Sequence, residues 1–521
     1  MKIRVFLRLF SSLLKLLAVL LLLPGGVAAY YGETEGVLAF GLTSVLSLML
    51  GIIIKNFSSD EDAGRKEAFA LVSLGLLGGA IVGSMPYIFL GIGMVDGLFE
   101  SMSAFTTGST ILTESNAEGY WVINSKLAQN SLAHRLESSL IGQEIAPRLT
   151  GPGLSSEDSY MGLLFWRSFS QWLGGMGIII LFVAILPRLG VAGRQLYRAE
   201  MPGPEKDALT PRIKDTARAL WFIYIAMTLT EMALLRLAGM PLYDSICNSL
   251  SCMATGGFSP QASSIMAYGS WRIDVIITVF MFLAGANFAL HYKMFFLDRK
   301  RHFRDSEFRF YIFIILASTA IIVLWGGLEG DLLGRIQLAA FQVVSIITTT
   351  GFATVDFDQW TVAAKFTLFL LMLIGACAGS TGGGIKVIRL LLVLKSAYRE
   401  LLHILHPRAV IPIKLGDISV KEEILRPSNI FLATYLSVFA IASLLLVLIS
   451  FKHPQMDIET ILSAVATTLG NTGPGFGAVG PSLSFAHLPE GGKMLLFFCM
   501  WIGRLEMIAA LVLFVPEFWR R

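Results

Sequence analysis

The sequence predicts an all-α integral membrane protein with fourfold internal repetition, and three observations carry that expectation. Of 521 residues, 55% are hydrophobic and 15% charged, and the mean hydropathy is +0.68, which excludes a soluble multidomain fold. Charge-poor runs long enough to cross about 30 Å of hydrocarbon recur along the chain. Four short stretches can be laid over one another without a gap: ESMSAFTTGST from Glu100, NSLSCMATGGF from Asn248, VVSIITTTGFA from Val343 and VATTLGNTGPG from Val465.

The first apolar run follows Lys2, Arg4 and Arg8 and ends in GGVAAY, the small residues of a leader-peptidase site. Lys15 in its middle, and a second span from Val37 to Ile54, favour a retained helix paired with the second. Uninterrupted spans follow at Ala68 to Met94, Phe310 to Gly327 and Ile430 to Phe451. Others carry a polar residue: Met161 to Leu186 with Arg167, Ala219 to Leu235 with Glu231, and Met494 to Val515 with Arg504 and Glu506. Val275 to Leu290 and the region of Phe366 complete the set, giving about ten transmembrane helices. Lys and Arg concentrate at Arg188 to Lys214, Lys293 to Arg309 and Lys386 to Arg426, which the positive-inside rule places in the cytoplasm. The four repeated stretches then enter from outside. Cys247, Cys252, Cys377 and Cys499 lack metal-site spacing and read as packing residues.

Each repeat reads as helix, short helix, turn, helix. The short helices begin near Asp96, Tyr243, Gln337 and Asp457 and are too short to cross, so they are re-entrant. Non-helical backbone survives at membrane depth only when buried in protein or lining a water-filled cavity, so the turns should face one central pore. The expected organisation is an amino-terminal helix pair over 1–60, then pore repeats over 61–200, 201–300, 301–410 and 411–521. The first repeat carries a long external loop, 114–158, to which the sequence assigns no task.

In this reading the turns form an ion filter. Rings of backbone carbonyls can replace the hydration shell of a cation, and glycine lets consecutive carbonyls point one way. The overlay puts Thr106, Thr107 and Gly108 in register with Ala254, Thr255 and Gly256, with Thr349, Thr350 and Gly351, and with Asn471, Thr472 and Gly473. The carboxyl ends of the short helices add partial negative charge that favours a cation. Asp96, Glu100, Asp244, Asp356, Asp358, Asp457 and Glu459 lie near the outer ends. They either line a cation-concentrating mouth or cap the short helices.

Below the third turn, the span from Phe366 is interrupted by GACAGSTGGGIKVIR. Gly379, Ser380, Thr381, Gly382, Gly383 and Gly384 break the helix, since each interior glycine costs about 1 kcal/mol. Such a flexible segment suits a gate on the cytoplasmic side. Arg504 is an intramembrane charge that Glu506, on another helical face, is poorly placed to neutralise. It is expected to donate to carbonyls near the pore, including those of the glycine loop, with Lys386 acting beside it. His291, His403 and His406 offer no metal-ligand spacing, and no nucleophile and base share a depth, so an enzyme is not expected.

These residues together, with QWLGGMGI from Gln171, GSTGGGIK from Gly379, NTGPGF from Asn471 and WIGRLE from Trp501, resemble the Trk/Ktr/HKT superfamily of potassium transporters, most closely its bacterial TrkH type. The resemblance implies a homodimer in the inner membrane, with one potassium path per subunit and no cofactor of its own. It also implies a cytosolic nucleotide-binding regulatory subunit of the TrkA type. In that superfamily glycine at the filter position favours potassium, and serine in the first repeat accompanies sodium transport. By the overlay all four positions here are glycine. A sodium-permeable variant of the same fold is one rival reading, and a carrier coupling potassium to protons or sodium is the other. It needs a titratable group in the path, and Glu231 is the only clear mid-span carboxylate before Glu506. The basic cytoplasmic loops are the expected docking surface for the regulatory subunit, and no nucleic-acid partner is expected.

Overall fold

The computed structural model describes residues 1–59, 61, 64–112, 114–116, 119–122, 160–175, 213–296, 305–416, 418–420 and 422–520. Most of the external loop 114–158, the second half of the Met161 span and the basic cluster Arg188 to Lys214 lie outside them. Among the described residues, six helices are long and apolar enough to cross a membrane. They begin with Ile3–Tyr30, Thr34–Lys55 and Lys66–Phe89, and continue with Arg218–Leu237, Ser306–Trp325 and Leu425–Ser450. Leu46, Met49 and Ile53 on the second, and Phe313, Leu316 and Leu324 on the fifth, are exposed. Apolar outer surface of this kind suits a lipid surround.

The first span is two helices, α1 (Ile3–Leu20) and α2 (Leu22–Tyr30), packed on α3 (Thr34–Lys55). Serine hydroxyls join α1 to α3 at three levels. Ser11 donates to the Gly51 carbonyl at 2.6 Å, Ser44 to Ala18 at 2.7 Å and Ser47 to Leu14 at 2.8 Å. Small polar residues draw helices together in an apolar surround by this means. After α4 (Arg65–Phe89) comes the first short helix, α5 (Met94–Thr106), and then α6 (Met161–Gly175). The stretch read as the second repeat holds α7 (Ile213–Leu237), short helix α8 (Leu242–Met253), α9 (Trp271–Ala284) and α10 (Phe288–Phe296). That read as the third holds α11 (Ser306–Trp325), short helix α12 (Leu332–Ile347), α13 (Val362–Leu373) and α14 (Val387–Leu405). That read as the fourth holds α15 (Glu422–Ser450), short helix α16 (Ile458–Gly470), α17 (Glu490–Arg504) and α18 (Ile508–Leu511).

The short helices have 13, 12, 16 and 13 residues. At about 1.5 Å per residue none spans the hydrocarbon. Three begin within two residues of expectation. The third starts at Leu332 rather than near Gln337, because extended Asp331 supplies an earlier boundary.

Two expected spans are not continuous. The run read as Val275 to Leu290 stops at Ala284 and resumes at Phe288. The run read as Met494 to Val515 ends at Arg504, and Glu506 and Met507 then adopt left-handed backbone with φ of 51° and 60°. With the expected interruption between Leu373 and Val387, three of the expected repeats have a broken second helix among the described residues. The groups freed by the second-repeat break are taken up by the glycine loop of the third. Gly285 accepts from the Cys377 amide at 3.0 Å, and the Phe288 amide donates to Gly379 at 3.0 Å. Irregular backbone at membrane depth persists where protein satisfies it in this way.

Candidate functional site

The four turns share a backbone signature that fixes their true register. In each, an amide closes a bond to the carbonyl five residues earlier: Gly108 to Ser103 at 2.9 Å, Gly256 to Ser251 at 2.8 Å, Thr350 to Ser345 at 2.9 Å and Thr472 to Thr467 at 2.9 Å. The residue just before that amide is left-handed in every case: Thr107 at φ 62°, Thr255 at 53°, Thr349 at 59° and Asn471 at 56°. Three of these are β-branched residues in a region they rarely enter, and such outliers gather at functional sites.

This register corrects the gap-free overlay, which is one residue out for the third and fourth loops relative to the first and second. Gly108 and Gly256 are equivalent to Thr350 and Thr472. The next position holds Gly257 (φ 75°), Gly351 (86°) and Gly473 (112°), and in the first loop it holds Ser109. A Cβ on Gly257 would lie 2.0 Å from the Thr350 carbonyl oxygen, and one on Gly351 would lie 2.3 Å from that of Thr472. Only glycine fits there. Loop two is thus seated on loop three and loop three on loop four, while the Ser109 hydroxyl donates to the Gly473 carbonyl at 2.7 Å and ties loop four to loop one. One cavity is lined by Ser109, Gly257, Gly351 and Gly473 together.

The acidic residues are mostly not a free mouth. Glu100 and Asp244 are fully buried. Glu100 pairs with buried Arg167 at 2.7 Å and accepts the Ile111 amide at 2.8 Å, bracing loop one from behind. Asp244 accepts from the Tyr120 and Tyr268 hydroxyls at 3.1 and 2.9 Å. Asp96 pairs with Lys493 at 2.5 Å, and Lys365 bridges Asp358 and Glu459 at 3.4 and 2.5 Å. Asp457 caps α16 through the Thr460 amide at 2.8 Å, and Asp356 caps a short turn through the Asp358 amide at 3.2 Å. All four cysteines are buried and free.

Beneath the loops lies the segment from Ile374 to Lys386. Its neck is closed by backbone bonds, Gly375 to Ile385 at 2.8 Å and Val387 to Ala376 at 3.1 Å. Its tip presses on the underside of the turns: a Cβ on Gly382 would meet the Thr348 carbonyl at 2.8 Å, and one on Gly383 the Gly470 carbonyl at 2.3 Å. The Gly383 amide donates to Thr349 Oγ1 at 2.8 Å, Thr381 Oγ1 donates to the Met253 carbonyl at 3.2 Å, and Ser380 Oγ donates to Cys377 at 2.6 Å. Gly384 turns the chain with φ 65°, and Lys386 Nζ donates to the Gly382 carbonyl. Arg504 donates to the carbonyls of Thr381 at 2.8 Å, Gly174 at 2.6 Å and Gly175 at 3.1 Å, and to Thr107 Oγ1 at 3.4 Å. Glu506 pairs instead with Arg389 at 2.5 Å.

A family model described as TrkH, cation transport protein, matches residues 152–521. The chain belongs to this TrkH family. It is 37% identical to the Trk system potassium uptake protein TrkH of Salmonella typhimurium and 36% identical to that of Escherichia coli strain K12, each over the whole of both chains. The crystal structure of the potassium transporter TrkH from Vibrio parahaemolyticus superimposes with a TM-score of 0.81 at 33% identity, covering all of both chains. These TrkH relatives are transporters, and so the chain is a membrane transporter rather than an enzyme.

Sequence reasoning missed three residues that hold this site. Ser109 was hidden by the overlay. Gln171 stood only inside a motif, and Glu307 was not singled out at all. Glu307 Oε1 accepts the amides of Ala378 at 2.6 Å and Ile388 at 3.1 Å, on either side of the glycine segment. For Gln171 the available signal was an amide side chain within a span, where polar groups are costly unless bonded.

Proposed function

We propose that the chain carries potassium into the cell through a gated, channel-like pore in the inner membrane, with the ion coordinated in the cavity where the four loops meet. The observation that carries this is the common backbone register of the loops around one cavity. The curated relatives are potassium uptake proteins by name. The membrane potential supplies about 2.3 kcal/mol per charge per 100 mV for inward movement. The segment Gly379 to Gly384, held by Arg504 and Lys386, is the gate. The partners in this reading are a second copy of the chain and a cytosolic nucleotide-binding subunit of the TrkA type, docked on the basic loops.

Ser109 favours a second reading within the same fold, a filter that also passes sodium. At the position where the other loops have glycine, it contributes a hydroxyl already donated to the Gly473 carbonyl. That leaves the ring with unequal ligands. Coupled transport draws no comparable support, since Glu231 is buried beside Cys252 and is not among the residues lining the cavity.

The test is uptake of potassium, rubidium, sodium and lithium into proteoliposomes by the wild type and Ser109→Gly. Potassium and rubidium ahead of sodium, with the margin widening in the variant, is the expected result. Equal passage of all four cations in both proteins would remove the filter reading.

A further inference from the structure

A hydroxyl at the same register position braces three of the four loops directly. Ser103 Oγ donates to the Ser109 carbonyl, Thr467 Oγ1 to Gly473 at 2.6 Å and Ser345 Oγ to Phe352 at 2.6 Å. In the second loop the equivalent Ser251 does otherwise. Its hydroxyl donates to Gln171 Oε1 at 2.6 Å, and Gln171 Nε2 donates onward to the carbonyl of Gly256 at 2.8 Å. The Phe258 amide also reaches Gln171 Oε1, at 3.3 Å. The orientation of this side-chain amide follows from its partners. An amide N–H requires an oxygen opposite it, and a carbonyl requires a donor, so Oε1 faces Phe258 and Nε2 faces Gly256.

Gln171 is fully buried and comes from α6, a helix of the first repeat. One turn earlier Arg167 stacks over the Phe258 ring at 4.1 Å and donates to Thr110 Oγ1 at 2.9 Å. Loop two is therefore held from outside its own repeat, through one side chain that can be changed without altering the loop. A loop pinned from behind keeps its distance from the axis of the ring, and the fit of such a ring to the ion is one source of its selectivity.

We propose that Gln171 is a specificity-determining positioning residue. Its amide pins the Gly256 carbonyl, and with it loop two, from behind the ring, which keeps the ring from closing on the smaller alkali cations and biases it towards the larger ones. The proposal rests on the filter reading and names the residue that tunes it.

The experiment compares rubidium and sodium uptake into proteoliposomes by the full-length protein, Gln171→Met, Gln171→Leu, Ser251→Ala and Ser109→Gly. Gln171→Met keeps the side-chain volume and removes all three bonds. It should lower the rubidium-to-sodium ratio by roughly three- to tenfold, the scale of one hydrogen bond. Rubidium uptake itself should persist, which a general packing defect would not allow. Ser251→Ala removes one of the partners that orient the amide while leaving the Nε2 donor in place, and should shift the ratio in the same direction and by less. An unchanged ratio in whichever Gln171 variants fold, alongside a shifted ratio in Ser109→Gly, overturns the role of Gln171 and spares the filter. No shift in any variant overturns the filter reading itself.

Discussion

Thr107, Thr255 and Thr349 hold left-handed backbone at a cost of about 1–3 kcal/mol each, and their hydroxyls show how the conformation is kept. Thr107 and Thr255 donate to the carbonyl just before them, at 2.6 Å in both cases, and Thr349 accepts the Gly383 amide. Behind them the Glu100 and Arg167 pair is buried to 0% and 2% exposure. A charge left alone at that depth is costly, so Arg167→Met should lower stability by about 3–5 kcal/mol. Adding Glu100→Gln should restore part of the loss, because the double variant leaves no uncompensated charge. Thermal unfolding of the detergent-purified protein measures both. A double variant no more stable than Arg167→Met would show that the ion pair is not what the single change breaks.

At the scale of elements, the glycine segment is clasped by Glu307, which joins the amides of Ala378 and Ile388 through one oxygen. Ile388 lies in the first turn of α14, where unsatisfied amides favour a carboxylate. Glu307→Leu should raise basal rubidium uptake severalfold, and Glu307→Gln, which keeps an acceptor oxygen, should stay near wild type. Equal uptake in all three proteins would separate the clasp from the gate. The interruption itself was legible because four glycines, a serine and a threonine fall within six residues, more than a helix tolerates. The breaks at Gly285 and after Arg504 were not legible. A lone glycine in an apolar run is compatible with a helix, and the groups that satisfy the Gly285 break come from another repeat. The loop register failed for a related reason. Matching letters aligned the Thr-Gly pairs, whereas the backbone aligns on the hydroxyl residues Ser103, Ser251, Ser345 and Thr467.

For the whole molecule, hydropathy and the fourfold pattern sufficed for the class of fold, while side-chain ties between distant segments were invisible in one dimension. Glu33 is one of them. It lies between the first two spans and accepts the amides of Met161 and Gly162, joining the amino-terminal pair to the first repeat. Burial pushes its carboxyl up to about 8, against the opposing pull of those two amides. The unfolded chain then loses this proton near pH 4.5 and the folded protein only near pH 8. Stability from this group should fall as pH rises through that window and level off above it. Glu33→Gln should flatten the fall, as thermal unfolding between pH 5 and 9 would record. A fall of equal depth in the variant would assign it to other groups.

The tip of the glycine segment is fastened to α8 through Met253, to the third turn through Thr349 and to α17 through Arg504, which also holds α6 through Gly174. A latch tied to every quadrant cannot yield to one of them alone. In the proposed gate, withdrawing it would release all four together, so the passage would have a shut state and an open state with no stable half-measure between them, and a regulator would act by tipping that single balance.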